Sequence, residues 1–376
     1  MKLRITFLLP VLGWSGGNRV VAIYAQWLAE QGHTVVLVSR SATAPTLFRR
    51  MKSLMRGRGW PRHHPVPASY MDDLNVEHRV VPMGRRLTPD DVPSADVLVC
   101  TWWETVEWAN GLPPDRGVPV HFVQHHEVFD YLPRERCEAV YRLPWRKIVI
   151  ARWLAEVMTR TYDAKKVELV PNAVDHEIFH APVRVKNSPV TIGTLYHEAS
   201  FKGLDVALAA LAKVKQRHPE VVILAFGSSP PTGANALPDW VELCVAPPQD
   251  TLRALYARCD AWLTTSRTEG FNLMAMEAMA CRTPVISTRT GWPAEAVVDG
   301  MNGFLCEVDD VGAVVQAVCR IVEMDAAQWA QMSSNAFATV EHATWDASSR
   351  LFEAALSRAV SDAGLGSTNT DDLAGV

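Results

Sequence analysis

At 376 residues the chain is long enough for two domains of ordinary size. Hydrophobic residues at 48% and charged residues at 21% exclude a disordered chain, and a net charge of -4 lacks the basic footprint of a nucleic-acid binder. Seven scattered cysteines, with no Cys-x-x-Cys and no Cys/His cluster at zinc spacing, exclude a disulfide framework and fit a reducing cytoplasm.

The opening Met1-to-Pro10 stretch has too short an apolar run for a signal peptide and reads as the first strand, Leu3–Leu9. A helix follows over Asn18–Gln31, with Val20, Ile23, Trp27 and Leu28 on one face, then a strand over Thr34–Ser39. Asp96–Cys100, Val118–Val123 and Lys147–Ile150 read as further strands. The second half repeats the alternation. Strands are predicted at Val190–Gly193, Val221–Phe226, Ala261–Thr265 and Pro284–Ser287, and helices at Gly203–Arg217, Thr251–Ala257 and Leu273–Ala280. Alternation of this kind predicts α/β domains with parallel sheets and helices on both faces. Pro171 and Asn172 break the pattern, so the crossover is placed in Val170–Asp175. The expected division is 1–171, 172–345, a terminal helix over 346–362 and a polar, Gly-rich, disordered tail over 363–376. No run of 18 apolar residues predicts a membrane span.

Thr268-Glu269-Gly270-Phe271-Asn272-Leu273-Met274-Ala275-Met276-Glu277 joins a buried strand to a helix. A helix start offers free N–H groups and a partial positive charge, which suit a phosphate. A carboxylate in the turn and a second in the next helical turn can reach hydroxyls on either side of it. That combination suits a nucleoside diphosphate sugar.

The glutamate pair and its flanks resemble glycosyltransferase family 4, of GT-B architecture. The flanks are Ala257-Arg258-Cys259-Asp260-Ala261-Trp262, Gly291-Trp292-Pro293-Ala294-Glu295 and Asp299-Gly300-Met301-Asn302-Gly303-Phe304. The resemblance is strong over 190–310, moderate over the first 40 residues and weak over 41–120. It implies two Rossmann-like domains facing across a cleft, with the terminal helix packing back on the first. It also implies sugar transfer from a nucleotide donor with retained anomeric configuration, and no metal or cofactor beyond the donor.

By this resemblance Glu269 holds sugar hydroxyls and Glu277 the ribose, while backbone amides of Gly270, Phe271 and Asn272 meet the sugar and phosphate. Lys202, in Gly193-to-Gly203, neutralises the pyrophosphate. The family's arginine in that loop is missing; Thr194 or Leu195 stands there, with Arg267 and His197 as substitute cations. Gly16 and Gly17, in Gly13-Trp14-Ser15-Gly16-Gly17, would lie over the donor phosphates. The spacing is neither Gly-x-Gly-x-x-Gly nor a Walker loop. Val245-to-Leu252 would lie near the nucleotide base.

Val120-to-Glu127 runs from a strand into a polar cluster, where His125 or His126 would contact the donor sugar and Glu127 would orient the imidazole. The aromatic faces in Thr101-to-Trp108 suit either an acceptor sugar or the core. The basic, apolar stretch 46–64 suits an anionic membrane surface, a phosphorylated acceptor or a solvated loop. The expected partners are therefore a nucleotide-sugar donor and a glycan, lipid-linked or natural-product acceptor. The expected location is the cytoplasm, with contact at the inner membrane face through 46–64. Epimerase and phosphorylase chemistry lack their signatures. A non-catalytic nucleotide-sugar-binding subunit stays open because the loop arginine is absent.

Overall fold

A computed structural model describes residues 1–42, 51, 68–231 and 236–364. The basic stretch 46–64, Met51 aside, and the tail from 365 onward lie outside the described residues. The chain divides into two compact units. One comprises 1–150, 154–170 and 349–376, the other 151–153 and 171–348.

The first unit is built on seven parallel strands: β1 (Arg4–Val11), β2 (Thr34–Arg40), β3 (Glu77–Val81), β4 (Val97–Cys100), β5 (Val118–Val123), β6 (Arg146–Val149) and β7 (Val167–Leu169). They lie in the order β3-β2-β1-β4-β5-β6-β7. The apolar runs of β1, β2 and β4 are buried on both faces, as a helix-covered parallel sheet requires. β1 continues through Pro10 to Val11, because the register shifts between Leu8 and Val11 and a proline there forfeits no regular ladder bond. β3 is half-buried and rich in charge, which hid it from the apolar pattern. The helices are α1 (Gly16–Glu30), α2 (Trp103–Ala109), α3 (Arg134–Tyr141) and α4 (Arg152–Tyr162).

The second unit repeats the plan with β8 (Thr191–Leu195), β9 (Val222–Gly227), β10 (Val241–Val245), β11 (Ala261–Thr264), β12 (Val285–Thr288) and β13 (Gly303–Cys306). Their order is β10-β9-β8-β11-β12-β13, again all parallel. Its helices are α5 (Leu204–Arg217), α6 (Gln249–Arg258), α7 (Leu273–Ala280), α8 (Pro293–Ala296), α9 (Val311–Glu323) and α10 (Ala326–Val340). The core joins Ile192, Ile223, Leu263 and Ile286 of the sheet to Leu211 and Val214 of α5 and Val314 and Val318 of α9.

The last described helix, α11 (Trp345–Asp362), belongs to the first unit from Ser349 onward. Its Phe352 is fully buried and stacks on Tyr24 at 4.4 Å between ring centres, with Phe7 and Phe122 around it. No helix among the described residues is long and apolar enough to cross a membrane. All seven cysteines are free thiols.

Candidate active site

Both sheets carry the doubly wound strand order, in which chain direction across the sheet reverses beside the first strand. Ligands gather beyond the carboxyl ends of the strands at that reversal. In the second unit the reversal lies between β8 and β11, which pair through Ile192–Ala261, Gly193–Trp262 and Thr194–Leu263. The loops leaving these two strands are 196–203 and 265–272, so topology alone brings the segments holding Lys202 and Glu269 together.

The loops are stitched by backbone bonds. Arg267 N–H donates to Phe201 O at 2.7 Å, and Thr265 Oγ1 donates to Gly203 O at 2.8 Å. Gly203 is left-handed (φ 66°), and a Cβ there would run into Thr265 O. Lys202 Nζ meets Glu269 Oε1 at 2.7 Å, and Ser266 Oγ donates to the same oxygen at 2.7 Å. Glu269 is buried, and its Oε2 has no protein partner among the described residues.

Asn272 caps α7 with φ 80°, a conformation that asparagine tolerates better than most residues. Its Oδ1 accepts from Ala275 N–H at 3.3 Å, and its Nδ2 donates to Thr264 Oγ1 at 3.0 Å. The preceding carbonyls are tied down: Trp153 Nε1 donates to Gly270 O at 3.0 Å and Trp292 N–H to Phe271 O at 2.8 Å. The backbone N–H groups from Gly270 to Met274 have no protein partner among the described residues. A run of free amides at a helix start is an anion cradle. One turn on, the buried Glu277 accepts from Tyr256 O–H at 3.0 Å.

Several sequence expectations need correction. Thr194 cannot stand in for the missing arginine, because it is buried and its hydroxyl donates to Leu263 O at 3.0 Å across the sheet. Arg267 is committed to Asp205 at 2.7 Å and Asp309 at 2.8 Å. His197 accepts from Ala199 N–H at 3.0 Å, and burial, with Lys202 nearby, pushes its pKa down, so it is a neutral acceptor and no cation.

In the first unit Gly16 and Gly17 form the first turn of α1 rather than a loop before it. Ser15 caps the turn by accepting from Asn18 N–H at 3.2 Å. A Cβ on Gly17 would lie 3.4 Å from the Gln124 amide, whose buried Oε1 has no partner among the described residues. Glu127 does not orient a histidine: its Oε2 accepts from Trp103 N–H at 2.8 Å, and its own N–H donates to Tyr141 Oη at 2.8 Å. Full burial pushes its carboxyl pKa well up. His126 Nε2 meets Tyr162 Oη at 2.7 Å, and burial lowers the imidazole pKa. His125 Nδ1 meets His126 O at 3.1 Å. Trp103 is a core residue; Trp108 lies under Arg40 at 4.7 Å.

Ser266, Tyr256 and Trp153 escaped the sequence reading. Ser266 had a local signal, three positions before Glu269 at a strand end; the other two reach the donor loops from distant segments. Two doubly wound α/β units of this kind make the GT-B architecture. The chain matches the description "Glycosyltransferase Family 4" over residues 14–178 and "Glycosyl transferases group 1" over residues 186–324. The chain belongs to glycosyltransferase family 4.

Among curated relatives, D-inositol 3-phosphate glycosyltransferase of Segniliparus rotundus is 29% identical over 164 residues, covering 39% of this chain and 36% of that protein. The gpi3 subunit of phosphatidylinositol N-acetylglucosaminyltransferase of Schizosaccharomyces pombe is 28% identical over 171 residues, covering 43% and 38%. The chain thus spans between about a fifth (21%) and a half (49%) of the length of the curated relatives it matches. Among solved structures, sucrose-phosphate synthase of Thermosynechococcus elongatus superposes with a TM-score of 0.70 at 18% identity, covering 96% of this chain and all (100%) of that one. Anabaena HepE in complex with UDP-glucose gives 0.70 at 15% identity, covering 95% and 100%.

Proposed function

We propose that the protein is a retaining glycosyltransferase that moves a sugar from a nucleoside diphosphate sugar to an acceptor hydroxyl on a glycan, lipid-linked glycan or natural product. The observation that carries this is the row of amides from Gly270 to Met274 that have no partner among the described residues, with Lys202 and Glu269 at one end and Glu277 one helical turn on. The amides and Lys202 hold the pyrophosphate, Glu269 Oε2 takes sugar hydroxyls and Glu277 takes the ribose. The HepE complex with UDP-glucose supports a nucleotide-sugar donor for this fold.

In a front-face transfer the C1–phosphate bond breaks and the C1–acceptor oxygen bond forms on the same face. The acceptor proton passes to the departing phosphate oxygen, so no pair of protein acids is required. Lys202 and the amides stabilise the charge that develops on that oxygen. Either His125 or His126 serves as the sugar-contacting histidine in this reading; both already have a partner, His125 Nδ1 at His126 O and His126 Nε2 at Tyr162 Oη. No metal is assigned to this step.

The second reading is a non-catalytic nucleotide-sugar-binding subunit, favoured by the absent loop arginine and by the commitment of Arg267 and His197. Two experiments separate the readings. A thermal shift is measured with UDP, GDP, ADP, CMP and TDP, for the wild type and for Glu277→Gln. One nucleotide should stabilise the wild type, and the variant should lose that gain. Incubation with the matching nucleotide sugars should then release free nucleotide and give a product with the donor's anomeric configuration by NMR. Stabilisation without turnover by any donor supports the binding subunit, and no stabilisation of a folded protein refutes both.

A further inference from the structure

Away from the donor loops, the second unit gathers three side chains of metal-binding type. α5 ends in Lys215-Gln216-Arg217, and His218 closes it, donating its N–H to Val214 O at 2.8 Å. α9 packs on α5 through the shared core and carries Cys319 and Glu323, one helical turn apart on one face. One ligand atom each from His218, Cys319 and Glu323 lies within 4.8 Å of the others.

The set has more than proximity. His218 Nε2 lies 3.5 Å from Glu323 Oε1. Metal–ligand bonds of about 2.0–2.3 Å in tetrahedral geometry separate neighbouring ligand atoms by about 3.3–3.8 Å. The pair is therefore already at the spacing of two corners of such a site. On the other edge of the imidazole, Glu220 Oε1 lies 3.6 Å from His218 Nδ1. A carboxylate on the far nitrogen is the arrangement that fixes the ring and tautomer of a metal-bound histidine. Cys319 is 7% exposed at the edge of the core, while the Glu323 side chain is 67% exposed. A cavity of about 580 Å³, lined by Glu323, Arg320 and Met324 among others, opens on the Glu323 side of the cluster. The site thus has a buried soft ligand, a half-buried borderline one and a hard one at the surface, with a route in from solvent.

We propose that His218 Nε2, Cys319 Sγ and Glu323 Oε1 bind one divalent cation of the zinc type, with water in the fourth position and Glu220 orienting the imidazole. Thiolate plus imidazole selects zinc or cobalt over magnesium and calcium, which prefer oxygen alone. The thiol gives up its proton on binding. The ion clips the end of α5 to the end of α9 and plays no part in sugar transfer.

The test is a titration of the metal-stripped full chain with cobalt(II), followed by displacement with zinc in competition with a chromophoric chelator. One equivalent of cobalt should bind and give a thiolate-to-cobalt charge-transfer band that zinc abolishes. Cys319→Ser should lose the band. Glu323→Gln and His218→Gln should weaken zinc at least tenfold, and Glu220→Gln should weaken it by about 10- to 100-fold or less. Glu323 and Glu220 are exposed, so their variants remain informative if Cys319→Ser fails to fold. Absence of the band, a band that survives Cys319→Ser, or zinc affinity unchanged in both Glu323→Gln and His218→Gln overturns the proposal.

Discussion

Lys202→Ala tests the donor loops through two readouts. Lys202 Nζ and Glu269 Oε1 form a 2.7 Å pair whose side chains are 18% and 8% exposed. Removing one partner of a buried pair costs about 3–5 kcal/mol, because the other charge is left without compensation. Here water reaches the site through the lysine's own exposure, and Ser266 still donates to the carboxylate. The expected loss is therefore about 2–3 kcal/mol. For a unit of this size that is roughly a 4–12 °C fall in melting temperature. Glu269→Gln removes the charge, so Lys202→Ala in that background should cost at least about 1 kcal/mol less.

The second readout is affinity. A lysine hydrogen-bonded to pyrophosphate contributes about 1.5–3 kcal/mol, so the stabilising nucleotide diphosphate should bind about 10- to 150-fold more weakly. The assay is chemical and thermal unfolding of all four proteins of the cycle, with and without nucleotide. Equal cost of Lys202→Ala in both backgrounds refutes the ion-pair reasoning. Unchanged nucleotide affinity refutes the phosphate role.

Three further outcomes are expected. Tyr256→Phe removes the hydroxyl that donates to Glu277 at 3.0 Å, so stability should fall by about 1.5–3 kcal/mol. Affinity for the nucleoside diphosphate should fall with it while affinity for inorganic pyrophosphate holds, measured by calorimetry. Phe352→Ala empties a fully buried ring site among Phe7, Tyr24 and Phe122 and should cost about 3–5 kcal/mol in denaturant unfolding. Glu127 has a pKa raised well above its ordinary 4.5 by burial, so the folded state holds its proton where the unfolded state releases it. Its contribution should therefore fall as pH rises above 4.5, by up to about 1.4 kcal/mol per pH unit, until the folded carboxyl ionises. Glu127→Gln should remove that slope; identical pH profiles of unfolding for the variant and the wild type would contradict the assignment.

The parts of the site legible in the sequence are those whose signals are local. Asn272 at a helix start, followed by Leu273–Ala280, announces the cap and the helix, and the structure has the helix at the same bounds. The strands read from apolar runs, such as β5 at Val118–Val123, are there because both sheet faces are buried. Four strands were missed: β3, β7 and β10 mix charge with apolar residues at half-buried or exposed positions, whereas β13 is buried and apolar but only four residues long and begins at a glycine.

Roles that depend on which segments become neighbours were not legible. Thr194 reads as a residue of the phosphate-contacting loop, yet its hydroxyl is taken by Leu263 once β8 and β11 pair. Glu127 reads as the partner of an adjacent histidine, but the start of α2 reaches it first through Trp103 N–H. Arg267 reads as a spare cation until Asp205 and Asp309 arrive from two other helix starts. His218 shows no spacing with Cys319 or Glu323 along the chain, because only the packing of α5 on α9 places them side by side.

The sequence by itself determined the class of fold, the alternation of strands and helices, and the turn bearing Glu269 with the helix behind it bearing Glu277. Side-chain periodicity and turn chemistry act over a few residues, so they survive in the linear chain. The tertiary structure alone decided that Lys202 meets Glu269, that Tyr256 holds Glu277 and that the substitute cations are spent elsewhere. Those pairings follow from strand order, and strand order is set by burial of whole sheets rather than by any local run of residues.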